Sequence, residues 1–221
     1  MNNQRRQEDG VLYKKDFWST ENLKYSRPHF RMEKIARTVN ALASGKSCTL
    51  LDVGCGPAAL APLLQPNIRY YGIDIALAQQ APNLIEADIL EAPIRFADKR
   101  FDIVLAQGFF EYAGKLQTQK FAEISQLLNP GGKFVVSYVN FSHRDRYVYH
   151  PYSNVQPLTN FRQSLEQYFR VERVFPTSYN WRHQEPSRRL VKTGNMHLNL
   201  NIPFINQALA VQYVLICTAR E

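Results

Sequence analysis

The chain has 221 residues, 45 % of them hydrophobic and 21 % charged, which is enough for one globular domain with a substantial core. Twelve prolines and ten glycines exclude collagen-like and disordered classes, and no apolar run approaches the roughly 18 residues of a membrane span. The net charge of +8 is uneven: residues 1–46 carry ten Lys/Arg against five Asp/Glu, 47–141 seven against nine, and 142–192 nine against four. A slightly acidic middle between basic flanks is either a solvated surface or a surface that meets an anionic group such as phosphate. The polar start MNNQRRQEDG has no apolar signal core, and Cys48, Cys55 and Cys217 are too scattered for a disulfide or metal framework. A reducing cytoplasm is the expected setting, with no metal site.

In chain order, residues 28–43 space Phe30, Ile35, Val39 and Leu42 as on one helix face. The apolar run 47–53 ending in glycines predicts a buried strand, and Ala58 to Leu64 a helix. Strands follow at 68–73, 84–87 and 101–106. An amphipathic helix runs from Lys115 to Leu128, stopped by Asn129-Pro-Gly-Gly132, with a fifth strand at 133–139. Leu158 to Phe169 reads as a helix, 170–175 as a half-buried strand, 176–206 as a polar, weakly patterned excursion, and 209–218 as a closing strand. Strands separated by helical segments predict an α/β, Rossmann-like doubly wound sheet, mostly parallel, with a C-terminal antiparallel strand pair.

Three units follow along the chain. A basic and aromatic arm with a helix occupies 1–46 and is a candidate lid. A ligand-binding core occupies 47–141. Residues 142–221 complete the same domain, with a substrate-side insertion at 176–206.

The segment Asp52-Val-Gly-Cys-Gly-Pro-Ala-Ala59 follows the first strand. Gly54, Gly56 and Ala59 fit G-x-G-x-x-G/A, a pattern that is weak on its own, and Asp74 lies further along at the end of the second strand. Asp52 discriminates between ligands. A carboxylate two positions before Gly54 repels a pyrophosphate and attracts an ammonium. S-adenosylmethionine (SAM) carries an ammonium and a sulfonium and no phosphate. No lysine has a tyrosine four positions earlier, so the Tyr-x-x-x-Lys of single-domain dehydrogenases is missing from the sequence.

The stretches LLDVGCGPA (50–58), YYGIDIA (70–76), EADIL (86–90), FDIVLAQGFFEY (101–112) and LNPGGKFVVS (128–137) resemble, in order and spacing, a class I SAM-dependent methyltransferase of the small type 11 kind. The resemblance implies the seven-stranded methyltransferase fold. It also implies a cofactor edge in which Asp52 and the Gly54–Cys55–Gly56 backbone hold the methionine end. Asp74, with Ile75 beside it, takes the ribose hydroxyls. Asp88 and the Ile89 amide meet the adenine, and the carbonyls of Ala106 and Gln107 meet the ammonium. Ala58 stands where the family usually has its third glycine. By the same resemblance, Tyr25 belongs to an N-terminal lid over the cofactor.

Methyl transfer from sulfonium to O or N is an in-line displacement, in which the protein supplies alignment and sometimes a base. The acceptor belongs beyond the carboxyl ends of strands four and five. Glu111, Tyr112 and His143 are the candidate catalytic residues there, although Tyr112 replaces the histidine that relatives often carry. His143 has a pKa range suited to a base and is flanked by Arg144 and Arg146. The implied activity is methyl transfer to a small molecule, anionic or phosphate-bearing, such as a saccharide or natural-product intermediate, by a monomer or homodimer. An RNA or protein methyltransferase and a non-catalytic SAM-binding regulator remain as alternatives. Neither an Asn/Asp-Pro-Pro-aromatic motif nor a Pro-Cys nucleophile is present, and no RNA-binding module is appended, so nothing points to nucleic acid.

Overall fold

The computed structural model describes residues 15, 18, 19, 26–28, 30–96, 99–140, 156–184, 190–196, 202 and 210–220. Helix α1 (Phe30–Ala43) leads to strand β1 (Cys48–Val53), followed by β2 (Ile68–Asp74), β3 (Leu84–Glu86) and β4 (Phe101–Gln107). A short helix α2 (Phe110–Ala113), helix α3 (Gln117–Leu127) and strand β5 (Leu128–Val139) come next. Helix α4 (Leu158–Leu165) precedes β6 (Phe169–Gln184), β7 (Leu190–Met196) and β8 (Ala210–Ala219).

The strands form one sheet in the order β3-β2-β1-β4-β5-β8-β6-β7. Strands β1 to β5 pair in parallel, β8 runs antiparallel to β5, and β6 antiparallel to β8. The order reverses at β1, whose neighbours are β2 and β4, and this puts a crevice at the carboxyl ends of those strands. The expected doubly wound sheet with its C-terminal antiparallel pair is therefore present. It carries one addition: the stretch read as a polar excursion continues β6 as far as Gln184 and returns as β7, an antiparallel edge hairpin. Its sequence, TSYNWRHQ and LVKTGNM, is largely polar and does not sustain an alternation of apolar with polar, which hid the strand period.

The two sheet faces are covered differently. On one, the α1 stripe Ile35, Ala36, Val39 and Ala43 packs on Leu50, Ile103, Leu105, Val135 and Val214. The other is an aromatic core in which Phe110 stacks on Phe121 at 4.4 Å and Tyr138 on Phe161 at 3.8 Å, bringing α2, α3, α4 and β5 together. Burying aromatic side chains of this size contributes about 2–3 kcal/mol each.

The helix expected at Ala58 to Leu64 does not form. Ala58 adopts φ 56°, a left-handed conformation incompatible with entering an α-helix, and only a 3₁₀ turn at Ala61–Leu63 follows. Pro62 lies inside that turn, and Asn40 of α1 fixes its exit by donating from Nδ2 to the Leu63 carbonyl and accepting from the Gln65 amide. The glycine loop therefore ends in a turn held by α1 and has no helix N-terminus behind it.

Candidate cofactor and acceptor site

The loop after β1 is shaped by glycine: Gly54 and Gly56 have φ 77° and 54°, accessible without strain only to a residue lacking Cβ. Its path is fixed from β2. The Gly54 amide donates to the Ile73 carbonyl at 2.8 Å, and the Gly56 amide donates to Asp74 Oδ2 at 2.8 Å. Asp74 Oδ1 accepts from the Ala76 amide at 2.9 Å, so one carboxylate ties the glycine loop to the chain leaving β2. Ile75 lies between those anchors and is buried.

Asp52 is 4 % exposed, and Tyr70 of β2 donates its hydroxyl to Asp52 Oδ2 at 2.9 Å. Burial pushes the Asp52 carboxyl up to about 7; the Tyr70 bond pulls it down and the nearby Asp74 carboxylate pushes it further up. Cys55 sits against both carboxylates and is buried. Burial first, then Asp52 and Asp74, drive its thiol far above the ordinary range, so it fills space as a neutral thiol. That packing is tight, because a Cβ on Gly72 would meet Cys55 Sγ at 2.7 Å and Leu84 Cδ2 at 2.8 Å.

Asp88 follows β3 and accepts from the amides of Leu90 and Glu91 through Oδ1, at 3.0 and 3.3 Å, which makes it the cap of its own turn. Ile89 is buried in the aromatic-side core. The turn is steadied from α3, where the buried Lys120 donates to the Ala92 carbonyl at 2.9 Å and to Glu123 Oε2 at 2.8 Å. Asp102, at the start of β4, accepts from the Thr49 amide and hydroxyl and from Asn129 Nδ2, each at 2.8 Å.

Ala106 and Gln107 end β4. Ala106 is paired on both sides, with Val53 and Val136, whereas Gln107 faces Ser137 on β5 and has no register partner on β1. The backbone of Gln107 therefore opens toward the crevice on the β1 side. Gly108 turns the chain away with φ 66°.

Glu111 and Tyr112 sit on α2, just beyond the carboxyl end of β4. The stacked Phe110 anchors that helix, and its carbonyl accepts from Gln117 Nε2 at 2.8 Å. Glu111 is 1 % exposed, accepts from the Val139 amide through Oε1 at 2.9 Å, and leaves Oε2 buried without a hydrogen-bond partner. Burial pushes its carboxyl up to about 7; backbone amides, the neighbouring Gln212 amide and the Arg31 charge oppose that push. Tyr112 is partly exposed and meets the Trp18 ring edge-on, centroids 5.0 Å apart. Lys15 pairs with Glu86 at the end of β3, which makes Lys15 the main cause holding that carboxyl below the usual range. The N-terminal segment thus touches both the end of β3 and α2, the two flanks of the crevice. His143 and Tyr25 lie outside the described residues.

Three residues that matter here were not singled out in the sequence: Tyr70, Ser137 and Gln212. Ser137 Oγ accepts from the Gly108 amide at 3.0 Å and from Gln212 Nε2 at 2.9 Å. The available signal was a single polar residue inside each of the apolar strands KFVVSYV and LAVQYVLICT.

Among the described residues there is no cluster of His, Cys, Asp and Glu arranged to hold a metal ion, and no helix is long and apolar enough to cross a membrane.

Residues 51–136 match the methyltransferase domain family. No curated protein matches. Among solved structures, the chain is similar to one from the complex of the Haloferax volcanii Trm112 methyltransferase activator with a methyltransferase, at 16 % identity and TM-score 0.63, covering 93 % of this chain and 96 % of that one. A SAM-dependent methyltransferase from Clostridium acetobutylicum aligns at 10 % identity and TM-score 0.61, over 89 % and 94 %. The N-methyltransferase NodS from Bradyrhizobium japonicum, solved with S-adenosyl-L-homocysteine, aligns at 13 % identity and TM-score 0.56 over the full length of both chains.

Proposed function

We propose that this chain, residues 51–136 of which form a class I SAM-dependent methyltransferase domain, transfers a methyl group to an oxygen or nitrogen of a small anionic molecule in the cytoplasm. Phosphate-bearing saccharides and natural-product intermediates are the first candidates, because basic residues flank the acidic core on both sides in sequence.

The observation that carries this reading is the pair Asp52 and Asp74 on adjacent strands beside the glycine turn. Two buried carboxylates at the crevice suit a cationic ligand and disfavour a pyrophosphate. When bound, SAM supplies the methyl group as an electrophilic sulfonium. Asp52 balances the charge of its amino-acid end, and the open backbone of Gln107 accepts from the ammonium, with Ala106 beside it. Asp74, fixed between the glycine loop and the chain leaving β2, accepts from the ribose hydroxyls. The turn capped by Asp88, carrying Ile89, borders the adenine. Lys15, paired with Glu86 at the end of β3, and Trp18, against Tyr112 of α2, cover the crevice from its two flanks.

On the acceptor side, an O–H or N–H nucleophile loses its proton as its bond to carbon forms. Glu111 Oε2, lacking a partner and close to neutrality in its titration, is the group that takes it, and Tyr112 orients the acceptor. His143 is a second candidate base, retained from the sequence.

The test is S-adenosylhomocysteine formation by purified protein across a panel of phosphorylated sugars, hydroxylated acids and amines. Turnover with one class, lost in Glu111→Gln, supports the reading. SAM binding without turnover on any acceptor points to a regulator, and turnover on RNA or protein alone removes the small-molecule assignment.

A further inference from the structure

Ser137 is fully buried in the middle of the sheet, yet its hydroxyl makes no contribution to apolar packing. A serine there costs desolvation that only its hydrogen bonds offset. Both go to one task. The Gly108 amide and Gln212 Nε2 converge on Ser137 Oγ, so β8 reaches across β5 to hold the first residue after β4. Gln212 is itself 4 % exposed and lies beside the Glu111 carboxyl. Gly108 adopts a left-handed φ of 66°, and a Cβ there would meet nothing within 4 Å, so neighbouring bulk does not fix the turn. Among the described residues, the Gly108 amide is held by its hydrogen bond to Ser137 Oγ.

We infer that Ser137 and Gln212 are positioning residues for the cofactor, holding the Gln107–Gly108 turn so that the Gln107 carbonyl meets the ammonium of the bound amino-acid end. This rests on the assignment of that carbonyl made above. It adds that the geometry is set from β5 and β8, two strands on the far side of β4 from β1. Loss of the Ser137 hydroxyl frees the turn and weakens only ligands that carry the ammonium.

The experiment compares two probes by calorimetry: S-adenosylhomocysteine, which has the amino-acid end, and 5′-methylthioadenosine, which lacks it. The parent protein binds the first more tightly. In Ser137→Ala and Gln212→Leu, affinity for S-adenosylhomocysteine falls about tenfold, as expected for one well-placed hydrogen bond. Affinity for 5′-methylthioadenosine stays within twofold, and Ser137→Thr, which restores the hydroxyl, recovers the first. Hydrogen exchange of the Gly108 amide, measured without ligand, accelerates in Ser137→Ala. Equal losses for both probes mean a merely structural role, and unchanged affinities with unchanged Gly108 exchange mean no role; either overturns the inference. If the parent binds both probes equally, the carbonyl assignment fails instead, and the Gly108 exchange rate still decides whether the network holds the turn.

Discussion

Tyr70 donates its hydroxyl to Asp52 Oδ2 at 2.9 Å, joining β2 to β1 at the point where the glycine loop begins. The bond favours the ionised carboxyl against the burial that pushes Asp52 up to about 7. Tyr70→Phe removes that support, and the Asp52 pKa rises further. At pH 7 fewer molecules then carry the charge that attracts SAM, so affinity falls about three- to tenfold, and it recovers as pH is raised toward 8.5. Calorimetric Kd values at pH 6.5, 7.5 and 8.5 check this. Parallel curves for parent and variant would remove Tyr70 from the site.

The same chemistry makes binding release protons. A cationic ligand lowers the pKa of Asp52, so a carboxyl that is about half protonated near pH 7 gives up part of its proton as SAM binds. Titration at pH 7 in buffers of different ionisation enthalpy should show release of about half a proton, abolished in Asp52→Asn. Heats independent of the buffer would show that Asp52 does not face the ammonium.

Stability without ligand should fall as pH rises. Asp52 and Glu111 both titrate near 7 when folded, above their ordinary carboxylate values, so the native state holds these protons more tightly than the unfolded chain. The stabilisation is complete below pH about 4 and is lost as pH passes through about 7. At about 1.4 kcal/mol per pKa unit, Asp52 contributes about 4 kcal/mol and Glu111 about 3 kcal/mol over that span. Glu172 and Asp102, whose folded pKa values are lowered, act with the opposite sign, losing their contribution only as pH falls below about 4. Thermal melts should therefore show a lower Tm at pH 8 than at pH 5, and Glu111→Gln should flatten the slope. A Tm that rises steadily to pH 8 would contradict this.

Gly72 lies in β2 directly under the glycine loop. Gly72→Ala puts a methyl carbon where Cys55 Sγ and Leu84 Cδ2 already are, and should cost about 2 kcal/mol or more of stability together with SAM affinity. Cys55→Ala in the same background removes the closer atom and should restore part of both. Denaturant unfolding of the two single variants and the double variant measures the coupling. Additive losses would mean that the strain lies elsewhere.

Most of the fold could be read from local pattern. Strands such as FDIVLA and KFVVSYV are apolar because both faces of a parallel sheet are covered, and the helix stripe at Ile35 and Val39 shows its buried face directly. The turn at Ala58 could not be read, because alanine at φ 56° is chosen by the surrounding loop against its own propensity. The hairpin of β6 and β7 was hidden for another reason: it is defined by antiparallel backbone pairing, and its sequence carries no sustained apolar alternation to mark it. Within the site, Asp52 and Asp74 were legible because carboxylates beside a glycine turn have an electrostatic consequence. Tyr70, Ser137 and Gln212 act through contacts between strands distant in sequence, as the 75 residues between Gln212 and Ser137 illustrate.

Asp74 joins the glycine loop to β2, and in the proposed function it receives the cofactor ribose. Asp74→Ala strips partners from two backbone amides and would confuse folding with binding, so Asp74→Asn is the better probe. The most direct measurement is a calorimetric titration of SAM into the parent and Asp74→Asn, with thermal melts to confirm that both are folded. The proposed ribose contact predicts about micromolar binding by the parent and a loss of about tenfold or more in the folded variant. No SAM binding by the parent, or equal affinity in both proteins, would contradict it.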